Sequence, residues 1–187
     1  MADKRSTKRK VIGGLQMLNA IERKAALMAG YGSIYFIGHE GDEPDAPIKV
    51  GYTYSIMTRL VQFRNSSWKA PKVHEVLYVR GPNSIVTQRR FEMLLGDGTD
   101  PDLEAKALDE AADLDKETAH IVQVEKAIHW KLKGLGLHHA REWFRGGPEF
   151  LVKTAREVIA NQFEVPCYGH NSMRRLAATW SKEAGII

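Results

Sequence analysis

Ser33-Ile34-Tyr35-Phe36-Ile37-Gly38 and Ile48-Lys49-Val50-Gly51-Tyr52 decide how this chain folds. Both runs are dense in β-branched and aromatic residues, the composition of strands. Between them, Gly41-Asp42-Glu43-Pro44-Asp45-Ala46-Pro47 is a concentrated turn signal, so the two runs are expected to form a hairpin. Strand side chains alternate between faces. Ile34 and Phe36 therefore share one face while Tyr35 projects from the other. Ile48 and Val50 likewise share a face, opposite to Lys49. With the apolar sets turned together toward the core, Tyr35 and Lys49 emerge on the same side. A phenol beside an ammonium on a rigid platform suits the handling of a phosphate.

Upstream of the hairpin, Leu15, Leu18, Ile21, Ala25 and Met28 recur at helical spacing, and Gly30 and Gly32 end that helix. Downstream, Ser55 is placed to cap a helix that turns Ile56, Leu60 and Phe63 inward, with Arg59 at the edge of the buried stripe. Asn65-Ser66-Ser67 closes it. Val73 to Val79 reads as a third strand, ended by Gly81-Pro82-Asn83. Ser84 opens another amphipathic segment, and Asp100-Pro101 reads as a cap and first-turn proline for an acidic helix. Asp115 is positioned to cap the helix that carries Glu125. Gly134 and Gly136 stop that helix, and His138 to Phe144 follows as a short loop or strand. Pro148-Glu149 starts a helix bearing Phe150, Leu151, Ala155 and Val158. Pro166 and Gly169 set off a last basic helix with Arg174, Arg175 and Lys182. The expected fold is α/β (α+β): a small three-stranded, mainly antiparallel sheet flanked by helices, with helical N- and C-terminal extensions.

A chain of 187 residues can bury a substantial core. Its apolar runs are too short to span a bilayer, and its Lys/Arg-rich start lacks the apolar run of a signal peptide. The single cysteine, Cys167, excludes an intramolecular disulfide and a cysteine-based zinc cluster. A cytoplasmic location fits these features best. The net charge of +4 is unevenly spread: nine acids against Lys106 and Lys116 make residues 97–117 −7, which leaves +11 for the rest. A basic body with one acidic arm fits either a nucleic-acid binder or an ordinary solvated surface. The arm at 1–10 (Lys4, Arg5, Lys8, Arg9, Lys10) and the tail with Arg174 and Arg175 are the candidate DNA-backbone contacts. The acidic helix or the tail could equally take a protein partner.

Several of these residues occur in a recognisable order. Ser-Ile-Tyr at 33–35 and Lys-Val-Gly at 49–51 resemble the two signature strands of the GIY-YIG nuclease superfamily. Arg59 follows eight residues after Gly51, where that family carries its arginine. Glu125-Lys126-Ala127-Ile128-His129 and Glu142-Trp143-Phe144 then resemble the E-x-x-x-H and EWF motifs of a phage- and bacterial-type subgroup. The chain departs from the wider pattern at Ser33, at Lys49 in place of the second tyrosine, and at Phe63. The resemblance spans about 31–160, with 84–117 as an insertion. It divides the chain into an N-terminal arm and helix (1–30), a nuclease-like domain (31–160) and a basic tail helix (161–187).

The resemblance implies a metal-dependent endonuclease in a bacterial or phage-infected cell, with Mg²⁺ or Mn²⁺ on Glu125. From the residues alone, Glu125 lies within the stripe of Ile121, Ile128 and Leu132, and a carboxylate there must be paired or metal-bound. Arg59 or Arg141 would be its partner in the structural alternative. His129, one turn on, could bond the scissile phosphate, shuttle a proton or be structural. Arg59 can fork two donors onto a phosphate. Tyr35 matches the family tyrosine that orients or deprotonates the attacking water, and Lys49 alongside would lower its pKa or contact the phosphate directly. Glu142 is expected to support Arg59 or His129, or to cap the next element. His138-His139 reads as solvated loop. Tyr35, Lys49, Arg59, Glu125 and His129 should then converge on one concave surface, with Glu125 on Tyr35's side of the sheet. The rival readings are a non-catalytic DNA-binding or assembly module on the same fold, and a structural or interaction protein.

Overall fold

The structure, a computed structural model, describes residues 11–81 apart from 13, 20–21, 24 and 27–29, and residues 120–183. Its centre is the expected hairpin. Strand β3 (Tyr31–His39) pairs antiparallel with β4 (Ile48–Thr53), Tyr35 facing Gly51 and Ile37 facing Lys49. On its other side β3 pairs with β5 (Pro71–Arg80). A bulge lets β5 slip one residue at His74, so Val73 and Val76 point to the same face although three positions apart.

The sheet is wider than three strands. Short strands β6 (His138–Ala140) and β7 (Trp143–Phe144) extend it beyond β4, and β8 (Cys167–Gly169) extends it beyond β5. The result is one antiparallel six-stranded sheet in the order β6-β7-β4-β3-β5-β8. The expectation of three strands is corrected for a simple reason. Segments of two or three residues are too short to display an alternating pattern, and they are recruited by the open edges of the central strands.

Among the described residues, four helices cover both faces of the sheet. Helix α1 (Ile56–Ser66) starts at Ser55, whose hydroxyl accepts from the Thr58 N–H, and buries Ile56, Leu60 and Phe63 as the spacing predicts. With α4 (His170–Glu183) it covers the face carrying Tyr35, Ile37, Val76 and Tyr78. Helix α2 (His120–Gly134) and helix α3 (Pro148–Gln162) cover the opposite face, packing Ile121, Val124, Ile128, Leu132, Leu151 and Ala155 against Ile34, Phe36, Val50 and Leu77.

The N-terminal part differs from the helical expectation. Val11–Ile12 (β1) and Leu15–Gln16 (β2) form a small hairpin turned by Gly14, whose φ of +85° suits glycine. Helical backbone begins only after Asn19, which forms a reciprocal capping box with Glu22. The basic arm at 1–10, Ile21, Met28, and the acidic insertion with Asp100-Pro101 and Asp115 lie outside the described residues. No described helix is long and apolar enough to cross a membrane.

Candidate functional site

The site is built around the open edge of β4. Strand β7 is only two residues long and pairs with Ile48 and Lys49. The Val50 N–H still finds the Glu142 carbonyl at 2.9 Å. Beyond it, the Val50 carbonyl and the Tyr52 N–H point out of the sheet with no strand to meet them. Helix α2 supplies the partners. His129 Nε2 lies 2.8 Å from the Val50 carbonyl, which can only accept, so Nε2 carries the proton and donates. The Glu125 carboxylate accepts from the Tyr52 N–H. One helical turn advances about 6 Å, close to two residues of strand. The four-residue spacing of Glu125 and His129 thus matches the spacing of the two orphan groups.

Glu125 is 8% exposed. Burial, reinforced by the nearby Glu142 carboxylate, pushes its pKa up to about 7, against the Tyr52 N–H and the charges of Arg59 and Lys126. His129 lies 3.9 Å from it. Burial draws the imidazole below its ordinary value, which the Val50 bond and Glu142 only partly oppose. At neutral pH the ring is therefore neutral, with Nδ1 as its free acceptor.

On the other face, Arg59 projects from the first turn of α1, and its Nε donates to the Tyr35 phenol oxygen at 2.9 Å. Its Nη1 donates to Gln62 Oε1 at 3.2 Å. The Tyr35 ring lies directly across Gly51. A Cβ there would sit 2.6 Å from Tyr35 Cζ and closer still to the hydroxyl, so only glycine leaves room for the ring.

Lys49 is not the phenol's neighbour. It faces Ile37, and its Nζ pairs with Glu142 Oε2 at 3.0 Å. The expectation that Lys49 lowers the Tyr35 pKa is corrected: burial raises the phenol above its ordinary value, and the cation opposing that shift is Arg59. Tyr35 is 1% exposed. Glu142 is delivered to Lys49 by Arg141, which turns the β6–β7 corner at φ +50°, a left-handed conformation that few non-glycine residues adopt.

Arg59, Glu125 and Glu142 lie near enough to act on the Tyr35 phenol, and Glu142 acts in turn on Arg59 and Glu125. Lys49 joins through Glu142, and His129 through Glu125. The expectation that they share one surface, with Glu125 on Tyr35's side of the sheet, is corrected. Helix α2 packs on the face opposite Tyr35, and Glu125 reaches the group only round the β4 edge. Glu125 meets the Tyr52 N–H and His129 directly, with Glu142, Arg59 and Lys126 acting on it by charge, and Arg141 is exposed. Elsewhere, His138 Nε2 lies 3.1 Å from the Arg141 carbonyl on an exposed strand. Arg174 Nη1 donates to Gln16 Oε1, tying α4 to β2, and Arg175 is exposed. Lys4, Arg5, Lys8, Arg9 and Lys10 lie outside the described residues. The backbone groups of Val50 and Tyr52 had no side-chain signal by which a sequence could reveal them.

Among the described residues no cluster of three or more His, Cys, Asp or Glu could hold a metal ion unaided. Glu125 is the residue that would hold Mg²⁺ or Mn²⁺, an ion commonly bound through one carboxylate with waters and substrate oxygens, while Glu142 is already paired with Lys49.

The T5orf172 domain, a phage-associated domain, matches residues 32–160, more than half of the chain. The chain belongs to the T5orf172 domain family. That membership is consistent with a nuclease or DNA-binding role. The matched span opens one residue into β3 and closes near the end of α3, so it takes in every residue of the β4-edge site. No curated protein and no solved structure gives a significant match.

Proposed function

We propose that this T5orf172 domain protein is a metal-dependent endonuclease, similar to the GIY-YIG superfamily, that hydrolyses phosphodiester bonds in DNA. The observation that carries the reading is the β4 edge. Two carboxylates, an arginine and a buried tyrosine from four separate chain segments come within electrostatic reach there. Glu125, with a pKa raised to about 7, is a carboxylate waiting for positive charge. Glu125 would hold Mg²⁺ or Mn²⁺, which when bound supplies Lewis-acid polarisation of a phosphoryl oxygen.

The protein groups have distinct tasks. Arg59 is held by Tyr35 through Nε, which aims its remaining donors at the phosphate as charge develops. Tyr35 is almost fully buried, so its part is to accept from Arg59 and fix the guanidinium. Its raised pKa keeps the phenol protonated and rules it out as a general base. Lys49, paired with Glu142, fixes that carboxylate beside the site. His129 is pinned through Nε2, so any proton it takes arrives at Nδ1.

A non-catalytic DNA-binding or assembly module is the second reading. It is favoured by Glu125 and His129 both bonding strand backbone, a structural task complete without chemistry. Nicking of supercoiled plasmid by the full-length protein with Mg²⁺ separates the two. The nuclease reading expects nicking that is lost in Glu125→Gln while DNA binding persists. Nicking by Glu125→Gln at the wild-type rate would refute the metal assignment.

A further inference from the structure

Helix α2 carries a second pattern, one residue out of phase with Glu125 and His129. Lys126, Trp130 and Lys133 recur at i, i+4 and i+7, and all three are exposed. At about 100° per residue, the order from the core outward is Glu125, His129, Lys133, Lys126 and Trp130. The stripe is continuous with the site in charge as well as position: Lys133 and His138 act on the His129 imidazole, and Lys126 acts on the Glu125 carboxylate.

Trp130 is 82% exposed. An indole in mid-helix, pointing at solvent with lysines on either side, is not explained by packing. The other protruding indole makes a useful contrast. Trp68 is 90% exposed, but the Lys69 ammonium lies 5.1 Å over its ring and is tied to Asp42 at 2.7 Å. Among the described residues no ring or cation covers Trp130, so both of its faces are open.

We propose that Lys126, Trp130 and Lys133 form a binding track for unpaired DNA leading to the β4-edge site, with a base stacked on Trp130 and neighbouring phosphates on the two lysines. The inference rests on reading that site as one that meets DNA. Charge complementarity selects a polyanion, and the indole selects one with bare base faces. In a duplex those faces are covered by neighbouring pairs, whereas a single strand offers each to an aromatic ring. The lysines are about 10 Å apart along the helix, the rise of about three stacked nucleotides. Duplex would engage the lysines and leave the indole idle.

The test is binding without turnover. Fluorescence anisotropy in EDTA compares oligo(dT) and blunt duplex, each of about 20 units, on the full-length protein. Trp130→Ala should weaken oligo(dT) binding by about tenfold, within a span of roughly fivefold to a hundredfold, while Trp130→Phe keeps most of it. Duplex affinity should change by less than about threefold. Lys126→Ala/Lys133→Ala should flatten the oligo(dT) salt dependence by about 1.4 in log–log slope. The proposal is overturned if wild type fails to bind oligo(dT). It also fails if Trp130→Ala stays within twofold of wild type, or weakens both DNAs equally. A shift in sedimentation in Trp130→Ala would assign the indole to a contact between copies of the chain instead. Because no metal or cleavage enters, a protein that cannot nick DNA yet shows the Trp130 effect loses the nuclease reading alone. One that nicks without the effect loses only this proposal.

Discussion

Replacing Gly51 with alanine probes the contact on which the Arg59 side of the site depends. The backbone at Gly51 is not in the left-handed region, so alanine meets no torsional obstacle there. The obstacle is the Tyr35 ring. The new Cβ would lie 2.6 Å from Cζ and 3.1 Å from Cε2, where ordinary contacts begin near 3.4 Å. Tyr35 is sealed under α1 and cannot swing into solvent. Overpacking of this kind costs about 1–3 kcal/mol, and the lower chain entropy of alanine in the unfolded state offsets about 0.5–1 kcal/mol of it. A net loss of about 1–2 kcal/mol follows, seen as a lower urea midpoint at unchanged slope. Moving the ring also takes the acceptor from Arg59 Nε, so nicking should slow at saturating DNA. Adding Tyr35→Phe removes the closest clashing atom but not Cζ, and should restore part of the stability while leaving nicking slow. A Gly51→Ala protein as stable as wild type would refute the placement of Tyr35 across Gly51.

Three further outcomes are expected. Without divalent ions, Glu125 has a folded pKa of about 7 against an ordinary carboxylate value near 4.5, so its contribution to stability is intact below about pH 4.5 and lost as pH rises through 7. The loss is about 3 kcal/mol at most, and Glu125→Gln should flatten that fall in urea titrations at pH 5 and 8. Arg59→Ala should cut nicking about a hundredfold to a thousandfold. Arg59→Lys should recover little of it, because an ammonium cannot bond Tyr35 and fork onto phosphate together; single-turnover nicking rates check both. Deleting residues 1–10 should lower the salt slope of duplex binding by up to about 4.5 without changing saturated turnover, and identical slopes would mark the arm as a solvated terminus.

The central hairpin, α1 and the stripe of α2 were legible because each repeats its apolar period several times. Ile34, Phe36, Ile48 and Val50 alternate cleanly, and Ile56, Leu60 and Phe63 keep helical spacing. Strand β8 was not legible, and β6 and β7 were readable only as a short loop or strand over His138 to Phe144, since two or three residues carry no period. Leu15 and Leu18 fitted a helix by spacing but belong to a hairpin and the stretch after it, where Gly14 and Asn19 set the backbone. At the site, the residue types were readable and their pairings were not. Lys49 turns to Glu142 and Arg59 to Tyr35 because of how α1 and the β6–β7 corner dock, which no local pattern encodes.

The same docking explains why a buried carboxylate is tolerated in a helix stripe at all. Strand β4 outruns β7 and leaves a carbonyl and an N–H exposed at Val50 and Tyr52, each costly if left unmet. Glu125 and His129 meet them, and that places a carboxylate where Arg59 and Glu142 can act on it. Structural and chemical demands therefore coincide on the same two side chains. Lengthening β7 would satisfy the edge by strand pairing and free Glu125 from the Tyr52 N–H, the interaction that most opposes its raised pKa. A short β7 is thus a condition for holding the carboxylate in place, and the two residues Trp143 and Phe144 set its length.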